Sequence, residues 1–290
     1  MNILVLGCNG LIGHSIFKVL SDDNDLNVFG ALRSQDLKSF FTKKLTNFIF
    51  SGFNIYDNPL IESLLIKSEA EVVINCIGIT KHVFSENDTS SLIFANSLFP
   101  HNLNKICKKL NIKLIHISTD CVFSGMKGNY LESDNADSLD MYGKSKALGE
   151  IIDDNCLTIR TSTIGHEINT KYGLLEWFLS QTEVCDGYSN AIFSGLPTIV
   201  LAEILRDIII YEKKLAGLLH IGSSPISKYD LLCLIKDVYK KNISIRKIDK
   251  PIINRSLNAD KFKSLFSFNS DWNHLITKMH NSHKKEHRIV

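Results

Sequence analysis

The 290-residue sequence carries 7 cysteines without a C-x-x-C pair, only 5 prolines and 2 tryptophans, and no low-complexity tract, internal repeat or long apolar run. The odd cysteine count without paired spacing removes a disulfide framework. Cys8, Cys76 and Cys107, set within or beside apolar runs, read as reduced thiols, mostly buried, of a cytosolic protein. A membrane-spanning helix needs about 20 apolar residues, so none is expected. The start, Met1-Asn2-Ile3-Leu4-Val5-Leu6-Gly7, enters a strand at once, with no basic stretch and no small-residue cleavage site, and does not read as a signal peptide. The 33 Lys and Arg nearly cancel the 31 Asp and Glu, leaving a formal charge of +2. Without a basic block in the body, the electrostatic footprint of a nucleic-acid binder is missing. The expectation is a cytoplasmic protein with neither nucleic acid nor membrane as partner.

At the far end, Lys284, Lys285 and Arg288 are expected to form a solvated, mobile tail. His280, His283 and His287 share one possible helical face there, but no Cys or carboxylate completes a tetrahedral set, so no metal is expected.

What is present is rhythm. With 44 % apolar residues the chain can bury a sizeable core. Short β-branched runs at Ile3–Leu6, Asn27–Leu32, Asn47–Phe50, Val72–Cys76, Lys113–Ile117 and Leu157–Thr161 alternate with helical spacing at Gly13–Leu20, Pro59–Lys67, Ser91–Leu110 and Met141–Ile152. That alternation predicts an α/β fold, a doubly wound parallel sheet with a smaller C-terminal lobe. Beyond about residue 160, Tyr172–Glu183, Ile199–Leu215 and Ser227–Lys241 read as helices and Gly217–Gly222 as a strand. A first domain over 1–165, with a helix and strand returning at about 199–222, and a lobe made of 166–198 and 223–290 follow from this pattern.

The first strand runs into Gly7-Cys8-Asn9-Gly10-Leu11-Ile12-Gly13, a G-x-x-G-x-x-G turn followed by an apolar helix. Glycine is needed where backbone must approach a pyrophosphate without a Cβ, while the helix N-terminus presents free N–H groups to the phosphates. Gly7, Asn9, Gly10, Leu11, Ile12 and Gly13 are therefore expected at a dinucleotide. The second strand leads to Arg33, not to the carboxylate that grips the ribose in NAD-selective sites. A guanidinium suits a 2′-phosphate, so the reading leans to NADPH, with NADH open. The alternative for Arg33 is a surface charge or a stack on the adenine.

The strand Leu114–Ile117 ends in Ser118-Thr119-Asp120, and Tyr142-Gly143-Lys144-Ser145-Lys146 follows on a helix. Tyr142 and Lys146, four apart, lie on one helical face. A free phenol titrates near 10, and a neighbouring ammonium lowers that value towards the range of proton transfer. Thr119 lies at the C-terminal end of a parallel strand, where open α/β sheets place ligands. The expected roles are Thr119 holding a substrate carbonyl oxygen, Tyr142 donating its proton, and Lys146 tuning the phenol and holding the nicotinamide ribose.

These residues resemble the extended short-chain dehydrogenase/reductases, which carry a Rossmann dinucleotide fold, and among them the dTDP-4-dehydrorhamnose reductase family. The resemblance rests on the Gly7/Gly10/Gly13 turn, Asn75-Cys76-Ile77-Gly78, the run from Ser118 to Gly125, Asn129-Tyr130-Leu131-Glu132, the run from Tyr142 to Glu150, and Arg160-Thr161-Ser162. Weaker echoes follow at Ser194-Gly195-Leu196-Pro197-Thr198 and His220-Ile221-Gly222. It implies Thr119, Tyr142 and Lys146 as the catalytic set, with Asn96 as a further candidate. It implies a cofactor site that also takes in Asp57, Cys76, Ile77, Gly78 and Asn96. The implied substrate is a nucleoside-diphosphate 4-keto-6-deoxysugar in a cleft between lobes, reduced at its 4-keto group for surface polysaccharide or another glycoconjugate, with a homodimer as a further implication.

The sequence departs from the family at Cys121 (usually Tyr), at Asn54 of Asn54-Ile55-Tyr56-Asp57 (usually Asp), at Thr163 (usually Trp) and over Lys171–Asn190. The last two lie where the resemblance implies that sugar and base are read; they leave the chemistry standing and the particular sugar and base open. Two rivals stand beside the reductase: a nucleotide-sugar epimerase of the same fold, and a non-catalytic, NADP-binding regulatory subunit. A 4,6-dehydratase is disfavoured because Cys121 replaces the carboxylate base of the usual Thr-Asp-Glu. His116 and His220, in apolar strands, read as satisfied interior imidazoles, Phe40, Phe41 and Phe48 as core or adenine-side packing, and Trp177 and Trp272 as packing residues.

Overall fold

A strand apolar on both faces must be covered by helices on both sides, and the order of elements supplies them. The computed structural model describes residues 1–81, 88–168, 170–212 and 214–287. Lys213, within the expected helix Ile199–Leu215, and Arg288, of the basic end, lie outside the described residues. Asn2–Leu6 (β1) leads through the glycine turn to Leu11–Ser21 (α1) and Asn27–Ala31 (β2). A 3-10 turn at Gln35–Phe40 precedes Lys43–Thr46 (α2), Ile49–Phe50 (β3), Asn58–Lys67 (α3) and Val72–Asn75 (β4). Thr89–Ile93 (α4), a π turn at Phe94–Leu98 and Phe99–Lys109 (α5) come before Lys113–Ile117 (β5), Met141–Leu148 (α6) and Cys156–Arg160 (β6). Then follow Thr163–Ile164 (β7), Leu174–Ser180 (α7), Val184–Tyr188 (β8), Ala191–Phe193 (β9), Leu196–Pro197 (β10), Thr198–Tyr211 (α8) and Gly217–His220 (β11). The chain closes with Ile226–Ser227 (β12), Lys228–Tyr239 (α9), Ser244–Ile248 (β13), Ile253–Asn254 (β14), Asp260–Leu265 (α10) and Trp272–His287 (α11).

Seven strands form the central parallel sheet in the order β11-β6-β5-β4-β1-β2-β3. The order reverses at β1, which pairs with β2 on one side and β4 on the other. Ligands of open α/β sheets bind beyond the strand ends at such a reversal. Register decides what arrives there: Leu6 pairs with Asn75, and Asn75 with His116. Gly7 and Cys76, the next residues, therefore leave the sheet along one edge, beside Ile117, the last residue of β5. Beneath that edge Leu4, Val73 and Leu114 pack with Ile61 of α3 and with Phe99 and Leu103 of α5 in one core. Each such side chain contributes about 1.5–3 kcal/mol by leaving water.

The chain divides into two compact units. The first comprises Met1–Thr119, Asp140–Ile159 and Ala202–Leu218. The second comprises Asp120–Leu139, Arg160–Leu201 and the chain from Leu219 onward. The division differs from a first domain running unbroken to residue 165, because the stretch after Thr119 finds its partners elsewhere: Tyr130 donates its backbone N–H to Ser256 and its ring stacks on Phe123 at 4.0 Å.

The second unit holds a β7/β10 pair, a three-stranded sheet β12-β9-β14 and a β8/β13 pair. Its last helix corrects the expectation of a mobile tail. Trp272, Leu275, Ile276 and Met279 bury one side of α11. Further on, the ring of His283 stacks on His166 at 3.5 Å, and that of His280 lies 4.1 Å from Tyr239. Histidines three apart share a helical face, and here that face is covered.

His220 is the interior imidazole the sequence predicts, with Nδ1 within 3.1 Å of the Tyr130 carbonyl. His116 is only half so. Its Nδ1 faces Asn75 Nδ2 at 3.1 Å, while its buried Nε2 has no partner among the described residues. No helix among the described residues is long and apolar enough to cross a membrane, and none of their His, Cys, Asp and Glu side chains form a group of three or more that could hold a metal ion.

Candidate active site

Gly7 adopts φ +76, a conformation that favours glycine. The side of its Cα where a side chain would project faces Ile77, and a Cβ there would come within 3.1 Å of the Ile77 side chain. A Cβ on Gly13 would overlap the Gly7 carbonyl oxygen, so the turn and the start of α1 close on each other only with glycine there. Gly10 donates to the Gly7 carbonyl at 3.0 Å and stands at the N-cap of α1, where no side chain caps the helix. The first-turn N–H groups and the positive end of the helix dipole thus stay available to an anion.

Beside this turn the first unit holds a cavity of about 640 Å³, within the range of small-molecule and cofactor sites. Gly7, Asn9, Gly10, Arg33, Cys76, Ile77 and Gly78 line it, as the sequence places them. Arg33 is exposed at its wall, and among the described residues no carboxylate pairs with it. Leu11, Ile12, Gly13, Asp57 and Asn96 are not among the lining residues. Asp57 caps α3, accepting from the Leu60 N–H at 2.9 Å.

Asn96 sits fully buried in the π turn. Its Oδ1 accepts from the Ile79 N–H at 2.9 Å, and its Nδ2 donates to the Ile79 carbonyl at 2.9 Å and to Ser145 Oγ at 3.0 Å. Both amide donors are committed to holding the chain after β4 against α6. Phe41 packs on His14 and Phe17, and Phe48 on Phe29, so these rings serve packing and not the cavity.

Tyr56, Asp88, Ser91 and Ala95 also line the cavity. No sequence pattern singles them out. Tyr56 packs at a tilt on Phe94 with ring centroids 4.3 Å apart, and a signal was available in a large aromatic after the third strand, at an edge already expected to hold ligand.

Thr119 follows β5 and is 9 % exposed. Asp140 caps α6, accepting from the Gly143 N–H at 2.7 Å, which starts the helix just before Tyr142 and puts Tyr142 and Lys146 one turn apart. Lys146 is 5 % exposed, and its Nζ donates to the Ile117 carbonyl at 2.8 Å, two residues before Thr119. A Cβ on Gly78 would lie 3.9 Å from Lys146 Nζ, so the ammonium stands behind the wall of the cavity. Burial pushes its pKa down to about 8, against the opposing pull of the Glu150 carboxylate. Perturbed titratable groups cluster at functional sites, and this one stands one helical turn from the Tyr142 phenol.

In the second unit Arg255 Nη1 donates to Cys121 Sγ at 3.7 Å and its Nε to the Phe123 carbonyl at 2.8 Å. A thiol and a guanidinium stand where a dehydratase would need a carboxylate base.

Known proteins share this architecture. Over 269 residues the chain is 26 % identical to a dTDP-4-dehydrorhamnose reductase of Aggregatibacter actinomycetemcomitans, covering 89 % of this chain and 85 % of that one. It is 24 % identical over 290 residues to methionine adenosyltransferase 2 subunit beta of Mus musculus, with 91 % and 82 % covered. A dTDP-4-dehydrorhamnose reductase of Bacillus anthracis, solved in complex with NADP, superposes with a TM-score of 0.78 at 18 % identity, covering 97 % of this chain and 98 % of that one. That last likeness shows the fold. Residues 1–261 match the family model of the RmlD substrate binding domain, and the chain belongs to that family, the dTDP-4-dehydrorhamnose reductase-like branch of the extended short-chain dehydrogenase/reductases.

Proposed function

We propose that the protein is an NADPH-dependent reductase of a nucleoside-diphosphate 4-keto-6-deoxysugar, working in the formation of deoxysugars for a glycoconjugate. The observation that carries the reading is the buried ammonium of Lys146, held at the end of β5 beside the glycine-turn cavity and one helical turn from Tyr142. The residues present fit a dinucleotide: Gly7 and Gly13 leave a cradle that a Cβ would fill, and Arg33 offers an exposed guanidinium at the wall. Gly7, Asn9 and Gly10 would hold the pyrophosphate, Arg33 the 2′-phosphate, and Cys76, Ile77 and Gly78 the nicotinamide side.

Bound there, a nicotinamide cofactor supplies a hydride to the carbonyl carbon. Thr119 anchors the carbonyl oxygen through its hydroxyl, which draws electron density from the carbon about to be reduced. Tyr142 delivers its phenolic proton to that oxygen. Lys146 favours the phenolate left behind and holds the ribose. Asn96 acts on the backbone of Ile79 and on α6 and keeps the wall in place.

Purified protein mixed with NADPH and a panel of nucleoside-diphosphate 4-keto-6-deoxysugars should consume cofactor in proportion to sugar. An epimerase would convert sugar without net consumption. The likeness to methionine adenosyltransferase 2 subunit beta over most of the chain favours a second reading, a non-catalytic subunit of another enzyme. Cofactor binding without turnover of any sugar in the panel would decide for it.

A further inference from the structure

Two consecutive residues at the end of β5 hold two opposite charges. The Ile117 carbonyl accepts from Lys146 Nζ at 2.8 Å, and the Ser118 hydroxyl donates to Glu150 Oε1 at 2.7 Å. Glu150 stands four residues after Lys146, just past the helix cap at Gly149, and its own N–H closes on the Ala147 carbonyl at 3.2 Å. Backbone and side chain together therefore fix the carboxylate on Ser118, next to the residue whose carbonyl holds the ammonium.

We propose that Glu150 is a positioning residue for the reaction: clamped by Ser118, its carboxylate keeps the buried Lys146 side chain protonated and seated on the Ile117 carbonyl. The inference rests on the reading of Lys146 given above. Of the titratable groups around that ammonium, Cys76 at the end of β4 has its thiol pushed up by burial and carries no charge at neutral pH. His116 on β5 is held well below its usual value by burial and by Lys146 itself, and is neutral as well. Tyr142 on the same helical face is a neutral phenol at that pH. Glu150 is the group that supplies a negative charge. Burial alone drives Lys146 towards the neutral amine, and the Glu150 carboxylate opposes it.

A nearby opposite charge moves a pKa by about 1–3 units. Protein labelled with ¹³C-lysine, its Lys146 resonance assigned by loss in Lys146→Arg, reports the titration of this side chain without substrate. In Glu150→Gln the Lys146 titration should fall by at least about one pH unit, with Glu150→Asp restoring part of it. Ser118→Ala should shift it the same way by less. The alkaline limb of the NADPH-dependent rate should move with the resonance, which a carboxylate serving only to brace the fold would not do. An unchanged Lys146 titration in folded Glu150→Gln overturns the proposal, and if that variant does not fold, an unchanged titration in Ser118→Ala does. Because the resonance needs no turnover, an inactive wild-type protein would count against the reductase reading and leave the coupling to be judged by its own titration.

Discussion

Asn96 Nδ2 donates to Ser145 Oγ at 3.0 Å, tying an amide in the π turn to the residue just before Lys146. The same amide holds both the N–H and the carbonyl of Ile79. Asn96→Ala leaves these partly buried backbone groups without partners, at about 1–3 kcal/mol. Denaturant unfolding should show that loss, and fluorescence titration with NADPH should show weaker binding, since Ile79 lines the cavity.

Tyr142→Phe removes a proton donor and keeps the ring. Turnover should fall by roughly 10²–10⁴, the usual worth of general acid catalysis, with NADPH affinity little changed. Full turnover in this variant would remove Tyr142 from the reaction.

Arg33→Asp replaces a guanidinium that suits a phosphate with a carboxylate that suits ribose hydroxyls. Initial rates with the two cofactors should swing from NADPH towards NADH. An unchanged ratio would return Arg33 to the role of a surface charge.

Mild acid should destabilise the protein through its buried histidines. Burial holds His116 and His280 below the ordinary histidine value. Unfolded histidines take up a proton near 6.5, so below that pH the unfolded state binds more protons than the fold and stability declines. Melting temperatures measured from neutral pH down to about 5 should fall, and His116→Gln should flatten the fall.

The strands were legible because β-branched runs between glycine turns leave little choice, and the glycine turn because strand, turn and helix occur in the required order. Boundaries were less so. Met141–Ile152 reads as one helix but α6 stops at Leu148, because Gly149 packs against the Asn96 carbonyl with no room for a Cβ. Ser91–Leu110 also reads as one helix, yet it contains a π turn. Pro100 has no N–H to offer the carbonyl four residues earlier, that of Asn96, and π turns of this kind frequently accompany functional sites. Thr119, Tyr142 and Lys146 stood out by spacing. The role of Asn96 did not, since its partners lie 17 and 49 residues away. The grouping of Asp120–Leu139 with the later chain left no trace in composition either, because it depends on pairing with residues more than 100 positions on, such as Ser256, whose carbonyl accepts from the Tyr130 N–H.

Cys8, directly after the first glycine of the turn, is fully buried, with burial pushing its thiol up to about 12, and Cys107 and Cys156 are held at about 12 and 11 in the same way. Thiolate, not thiol, reacts with alkylating reagents. The native first unit therefore carries its own silent reporters: each becomes reactive only when its surroundings open, and comparing the labelling rate of Cys8 with that of Cys107 would separate a local breathing of the glycine turn from unfolding of the sheet as a whole.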